Sequence, residues 1–285
     1  MNDQQLVIRP VAEAEVDQLE SLQQAIWGMS DMEVIPGRVL HALQFNGSVV
    51  LGAYDGSNLV GFVVGIVGRL PTTDQYHLYS AIMGVLPAYQ NRHVGYQLKM
   101  AQASVARQMG LSCITWTYDP LESRNARLNI GKLGAICRRY LPNFHGTMTG
   151  INAGIPSDRF YVEWYIEDEP VLRRLLAPTQ QPTFQQLMLE GAVLLNRSNW
   201  NEQGLPEPPA GFAQNAPSSM LLVEIPARFQ QLKSQNFTLA QRWRERTGQI
   251  FSYYFKVGYV VTDFFKWSDD SGRERTFYLL THHYT

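Results

Sequence analysis

Cysteine is nearly absent. The 285 residues hold two, Cys113 and Cys137, with no CxxC motif and no Cys/His ligand spacing, which excludes a disulfide-stapled or zinc-held fold and leaves buried thiols within strands. Long apolar runs are missing too. The longest, residues 59–67, is short and broken by glycines, so no segment reads as a membrane span. The opening MNDQQ lacks the basic-then-apolar order of a secretory signal, so a cytoplasmic location is expected. The Asn-x-Ser/Thr triplets at Asn46, Asn196 and Asn236 are then chance matches. Neither sign of charge dominates: 24 Lys and Arg face 25 Asp and Glu, a net charge of −1. No global field draws such a chain to nucleic acid or to an anionic membrane, and a small ligand fits better. His282-His283 lacks a third ligand at metal spacing, so no metal site is expected.

At 45% hydrophobic residues the chain can bury one large core or two modest ones, and two units are expected. The most informative stretch is 77–119. An apolar, β-rich run at 79–86 meets Pro87, passes through a short polar loop, and continues as a helix with apolar Val94, Leu98, Ala101, Val105 and Met109 at spacings of three to four. Gly110 stands where a left-handed cap belongs, and 111–118 reads as a second strand parallel to the first. The loop Gln90-Asn91-Arg92-His93-Val94-Gly95 therefore sits at a helix N-terminus, where unpaired N–H groups and the helix dipole favour a phosphate.

These residues resemble the acyl-CoA-binding core of the GNAT acyltransferase superfamily, whose loop reads Gln/Arg-x-x-Gly-x-Gly/Ala after a strand ending in Val-x-Pro. Val85-Leu86-Pro87, Gln90 and Gly95 match, and His93 stands in place of the first glycine. A side chain there either crowds a pyrophosphate or, protonated, adds a charge to it. The context agrees. Residues 5–9 read as a strand, 11–27 as an amphipathic helix, and 49–55 with 59–70 as a hairpin around Asp55-Gly56-Ser57-Asn58. The resemblance covers about residues 5–168. It implies an α/β (α+β) fold with a mixed central sheet flanked by helices, and transfer of an acetyl group from acetyl-CoA to a small-molecule or peptide amine by direct attack. Met83 and Val85 would offer backbone groups to pantetheine, and the N–H groups of Arg92, His93, Val94, Gly95 and Tyr96 would hold the pyrophosphate. Gln90 and Arg92 would be the side chains nearest its charge, and Asn125 would reach the pantetheine. A non-catalytic CoA or nucleotide sensor, or a structural protein of the same fold, is the alternative.

Many relatives protonate the departing thiolate with a tyrosine seven residues after an asparagine at the start of the next helix. Here that place falls on Lys132 or Ile130, so the acid does not carry over. Asp119 and Glu122 follow the second strand directly, and a carboxylate there can take an amine proton if burial raises its pKa. Asp before Pro is equally a common turn opener. Tyr140 and Glu163 are further candidates, with Tyr118 and His145 behind them; by strand alternation Glu163 shares a face with Tyr161 and Tyr165.

Beyond this core, 125–133 reads as a helix and 135–141 and 158–167 as strands joined by a glycine- and asparagine-rich segment, 142–157. Helices follow at 169–176 and 183–195, then a connecting arm rich in Pro, Gly, Asn and Ser at 196–219. The last third reads as a strand at 220–225, an amphipathic helix marked by Leu239, Trp243, Ile250, Phe251, Tyr254 and Phe255, and strands at 259–267 and 276–282. Its order of strand, proline, helix, glycine and strand repeats that of 82–118, as a degenerate second GNAT-like half would, but no glycine-rich loop follows Pro226. The expected division is 1–168, 169–219 and 220–285, with a homodimer contact open to the C-terminal part.

Overall fold

Strands buried on both faces read as unbroken apolar runs rather than as alternation, and the two central strands of the N-terminal unit show why. β2 (Val49–Asp55) is buried along almost its whole length and β3 (Asn58–Arg69) over its first two-thirds. The computed structural model describes residues 6–70, 73–146, 148, 153–177 and 182–282. Gln5 of the expected first strand, His283, and residues 147 and 149–152 of the 142–157 segment lie outside these. Among the described residues the chain divides into two compact units, one ending at Trp116 and the other beginning at Thr117.

The first unit contains β1 (Val7–Pro10), α1 (Gln18–Trp27), α2 (Gly37–Phe45), β2, β3, β4 (Tyr76–Val85), α3 (Val94–Gln108) and the start of β5 (Cys113–Tyr118). Its strands lie in the order β1-β2-β3-β4-β5, antiparallel except for the parallel pair β4 and β5. β2 and β3 meet at the expected turn, with Asp55 opposite Asn58 and Gly56 at φ 60°, a left-handed value that glycine adopts freely. The helix expected over 11–27 is shorter, a 3-10 turn at Glu13–Glu15 followed by α1, and α2 has no counterpart in the sequence reading. Leu19, Leu22 and Leu40 pack on Val50, Phe62 and Val64 to form the core. α3 is rotated from its expected face: Val94, Leu98, Lys99, Gln102, Ala103 and Ala106 are buried, whereas Met109 is 38% exposed.

The second unit begins within β5. α4 (Ser123–Ala126) continues as a π-helical stretch, Arg127–Lys132, in which the Leu133 N–H bonds the Leu128 carbonyl at 2.9 Å. Then come β6 (Ile136–Leu141), β7 (Arg159–Tyr165), α5 (Glu169–Leu176), α6 (Phe184–Leu189), β8 (Val193–Leu194), β9 (Asn199–Trp200) and β10 (Pro206–Glu207). β11 (Met220–Ile225), α7 (Phe229–Gln235), α8 (Phe237–Lys256), β12 (Tyr259–Ser268) and β13 (Glu274–His282) complete it. The helix expected over 183–195 stops early, because Gly191 at φ 92° turns the chain into β8. The strands lie in the order β7-β6-β12-β13-β11-β8, and β9 and β10 form a separate ribbon within the arm. Phe160 of β7 anchors this core, with ring centroids 4.6 Å from Phe251, 5.2 Å from Tyr278 and 5.9 Å from Tyr118.

The strand pairing of the C-terminal part differs from that expected of a repeat of 82–118. β8 and β11 are parallel neighbours, as β4 and β5 are, and each pair is followed by a helix and an antiparallel hairpin. In the C-terminal set the returning strand β13 separates β12 from β11, so β11 answers to β5 and β8 to β4. The crossover from β8 to β11 is the arm, with the β9–β10 ribbon in place of a helix such as α3.

Candidate active site

β4 and β5 are in parallel register only at Leu78 with Ile114 and Tyr79 with Thr115. One residue further on, β4 carries a bulge: Ser80 and Ile82 face Gly65 and Val64, leaving Ala81 unpaired. A bulge bends and twists the strand that bears it, so Ile82–Val85 keeps its β3 partners while recording none on β5. The Leu86 N–H points to β3, bonding the Val60 carbonyl at 2.9 Å. By alternation, the backbone groups of Met83 and Val85 face the opposite, open edge.

The chain then turns through a 3-10 segment at Pro87–Tyr89 into α3. Tyr89 Oη donates to Asp55 Oδ2 at 2.8 Å, a bond that raises the phenol pKa, and the exposed Arg92 guanidinium lies 5.4 Å from the Tyr89 ring. Gln90 Nε2 donates to the Val85 carbonyl at 3.0 Å, so this amide ties the loop to the strand rather than standing free for a phosphate. His93 is exposed and takes φ 61°, in the left-handed region that explains why glycine suits the position. Its side chain does not cap α3, and the first helical bond runs from the Gln97 N–H to the His93 carbonyl at 3.0 Å. The N–H groups of Val94, Gly95 and Tyr96 thus lie outside the helical ladder, where an anion can receive them.

Behind this face lies a buried lysine that the sequence reading did not single out. Lys99 is 1% exposed; its Nζ donates to Ser80 Oγ at 2.7 Å and stands 3.7 Å from the Trp116 ring centroid. Burial pushes its pKa well below the usual lysine value. The ring face favours the ammonium, but among the described residues no carboxylate is bonded to it, and at this depth desolvation dominates.

In the second unit, Asp119 and Glu122 come together with residues of α7 and α8. Asp119 accepts the Leu121 N–H at 2.9 Å, the turn-opening bond that Asp-Pro favours, and its other oxygen pairs with Arg244 Nη2. Both carboxylate oxygens are therefore engaged. Glu122 is half-buried and accepts Gln230 Nε2 at 2.6 Å. Its pKa is raised, chiefly by burial and then by the Asp119 charge, while the Gln230 bond works the other way.

The remaining candidates stand apart from this pair. Tyr140 donates to Asp158, which also accepts the Asn143 N–H at 2.8 Å; burial, then the Asp158 charge, pushes the phenol pKa far up. Glu163 is on the face of β7 expected for it, paired with Arg138 at 2.8 Å and accepting the Tyr165 hydroxyl at 3.3 Å. Asn125 is exposed. Tyr118 meets the Tyr278 hydroxyl at 3.1 Å, and Tyr278 in turn donates to the Pro120 carbonyl at 2.8 Å. Cys113 and Cys137 are buried free thiols. Among the described residues no group of three or more His, Cys, Asp or Glu could hold a metal ion, and no helix is long and apolar enough to cross a membrane.

Residues 14–128 match the acetyltransferase (GNAT) family profile. No curated protein matches the chain. Among solved structures, yncA from Salmonella typhimurium with its cofactor acetyl-CoA is 19% identical, over 57% of this chain and 95% of its own, with a TM-score of 0.47. NAA60 from Arabidopsis thaliana, in complex with a bisubstrate analogue, is 15% identical over 57% and 98%, with a TM-score of 0.46. An N-acetyltransferase from Staphylococcus aureus is 14% identical over 55% and 96%, with a TM-score of 0.47.

Proposed function

We propose, from the match of residues 14–128 to the GNAT acetyltransferase family, that the protein moves an acetyl group from acetyl-CoA to an amine by direct attack. The observation that carries this reading is the parallel pair β4 and β5, which share register only through Tyr79 and Thr115 beside a helix whose first three N–H groups lie outside its ladder. These features fit the donor: the open strand edge at Met83 and the Val85 N–H suits an amide-bearing arm, the Val85 carbonyl being taken by Gln90, and the α3 N-terminus with Arg92 suits a diphosphate. Acetyl-CoA supplies an acyl group activated as a thioester.

The protein's own part in proton handling falls to Glu122. An acceptor amine is mostly protonated at neutral pH and must lose a proton before its lone pair can attack. A carboxylate whose pKa is raised toward neutrality is suited to take that proton, and Glu122 is raised by burial and by Asp119. Asp119, with both oxygens engaged, positions Arg244 instead. Glu122 takes the ammonium proton; as the N–C bond then forms the C–S bond breaks, and the second proton shed by the acylated nitrogen passes through water to the thiolate, whose thiol has an intrinsic pKa of about 8.5. Tyr140, held by Asp158, has no part in this scheme.

The test is thiol release from acetyl-CoA across a panel of amines, paired with a thermal shift on adding CoA. Stabilisation by CoA with amine-dependent thiol release is the expected result. Stabilisation without turnover on any amine would make the chain a CoA sensor, and no stabilisation would remove the donor-site assignment.

A further inference from the structure

A cavity of about 280 Å³ lies wholly within the second unit, between the β9–β10 ribbon, the end of β11, α7 and the start of β13. At about 30 Å³ per water-sized group, it has room for about nine non-hydrogen atoms. Its apolar lining includes Trp200, Leu205, Pro206, Ile225, Pro226 and Leu232. The Trp200 ring is held from within the fold: the Arg275 guanidinium stands 5.4 Å from its centroid, and Arg275, itself buried, is locked by Glu224 at 2.8 Å and Asp269 at 3.0 Å. Glu224 is fully engaged, since its two oxygens also accept the Ser198 N–H at 2.7 Å and hydroxyl at 2.8 Å. The other lining carboxylate, Glu274, pairs with Lys266 at 3.1 Å. Two cations are left over. Arg228 and Arg273 line the cavity as exposed side chains, and among the described residues neither has an acidic partner; the Arg273 guanidinium lies 4.8 Å from the Trp200 centroid. No Ser, Thr, Cys, His, Lys or Tyr is among the lining residues, so the cavity has the groups to hold a molecule and none to transform it.

We propose that this cavity is a binding site for a small organic acid, a monocarboxylate with a compact apolar body. The body packs on Trp200 and Leu205, and the carboxylate meets Arg228 and Arg273, whose planar donors match its two oxygens. A nucleotide exceeds the volume, and a bare inorganic anion leaves the apolar lining unused. The inference is independent of the transferase reading, because none of these residues belongs to the donor site or to the Asp119 and Glu122 pair.

The experiment is calorimetric titration of the full chain with phenylacetate, phenylacetamide, acetate and inorganic phosphate, in wild type and in the double variant Arg228→Gln with Arg273→Gln. Wild type should bind phenylacetate about 10-fold more tightly than phenylacetamide, the scale of a charge-assisted hydrogen bond, and should bind acetate and phosphate far more weakly. The double variant should lose the preference for the acid while binding the amide as wild type does, which also shows that the cavity is intact. Equal binding of acid and amide to wild type, or a preference that survives in the double variant, would overturn the assignment of the carboxylate to the two arginines. Acetate or phosphate bound as tightly as phenylacetate would overturn the apolar part of the site. No saturable heat from phenylacetate would remove the site altogether.

Discussion

Gln230 at the start of α7 donates to Glu122 at the N-cap of α4 across 2.6 Å, and this bond offsets part of the rise that burial and Asp119 impose on the Glu122 pKa. The base form exists above that pKa, so kcat/KM should fall as pH drops through it. Gln230→Leu removes a donor to the carboxylate and should move this acidic limb to higher pH. Glu122→Gln should abolish the limb and lower the rate by about 10²-fold or more, the usual cost of losing a general base. Near-normal turnover in Glu122→Gln, with the limb intact, would place the base elsewhere.

Gly95 lies in the first turn of α3. Gly95→Glu sets a carboxylate among the N–H groups of Val94–Tyr96 and should abolish the thermal shift given by acetyl-CoA. Equal shifts in variant and wild type would show that the phosphate lies elsewhere.

His93 holds φ 61° with an L side chain. His93→Gly relieves left-handed strain of about 1–2 kcal/mol, against an unfolded-state entropy cost for glycine of about 0.5–1 kcal/mol. The variant should be stabilised by about 1 kcal/mol in urea unfolding, whatever its effect on CoA. Because the side chain is exposed, CoA affinity should differ little between the variant and wild type; clearly weaker binding by His93→Gly would mean that the His93 side chain contacts the phosphate.

Burial depresses the Lys99 pKa in the folded protein below the ordinary lysine value of 10.5. Between the depressed value and 10.5 the unfolded chain binds more protons than the folded one, so stability should rise with pH through that window and be lower, by a constant amount, below it. Lys99→Met should flatten this rise and raise the melting temperature at pH 7. A Lys99→Met protein that is less stable at pH 7, with the rise intact, would show a charged lysine held by the Trp116 ring and Ser80.

Tyr140→Phe removes a donor to Asp158, which keeps the Asn143 N–H. Unfolding free energy should fall by about 1–2 kcal/mol, as for a lost hydrogen bond to a charged group. Turnover should stay within a few-fold; loss of most turnover at unchanged stability would restore Tyr140 as an acid.

Local patterns in the chain were enough for the elements that depend on near neighbours. The Asp55–Asn58 turn, the strand from Met220 to Ile225, the helix from Glu169 to Leu176 and the loop before Val94 follow from turn chemistry, periodicity and capping, all set within a few residues. The π-helical stretch was not legible. The Ile130 and Gly131 carbonyls receive Arg174 at 2.9 and 3.3 Å, and Arg174 is itself held by Asp263 at 2.8 Å, partners that lie far along the chain. Arg244 did carry a signal, since it falls on the buried stripe of α8 with Ala240 and Thr247, but its partner Asp119 is 125 residues away.

The sequence by itself determined that backbone N–H groups stand outside the helical ladder at the start of α3, because a polar loop between a strand and a helix start leaves them without intrahelical partners. It also placed Asp119 and Glu122 at the end of β5. Only the tertiary structure decided what each of them bonds. A carboxylate's readiness to accept a proton depends on burial, charge and bonded donors, and these come from Arg244 on α8 for Asp119 and from Gln230 on α7 for Glu122. Such partners are chosen by how α7 and α8 pack within the second unit, which no local spacing encodes.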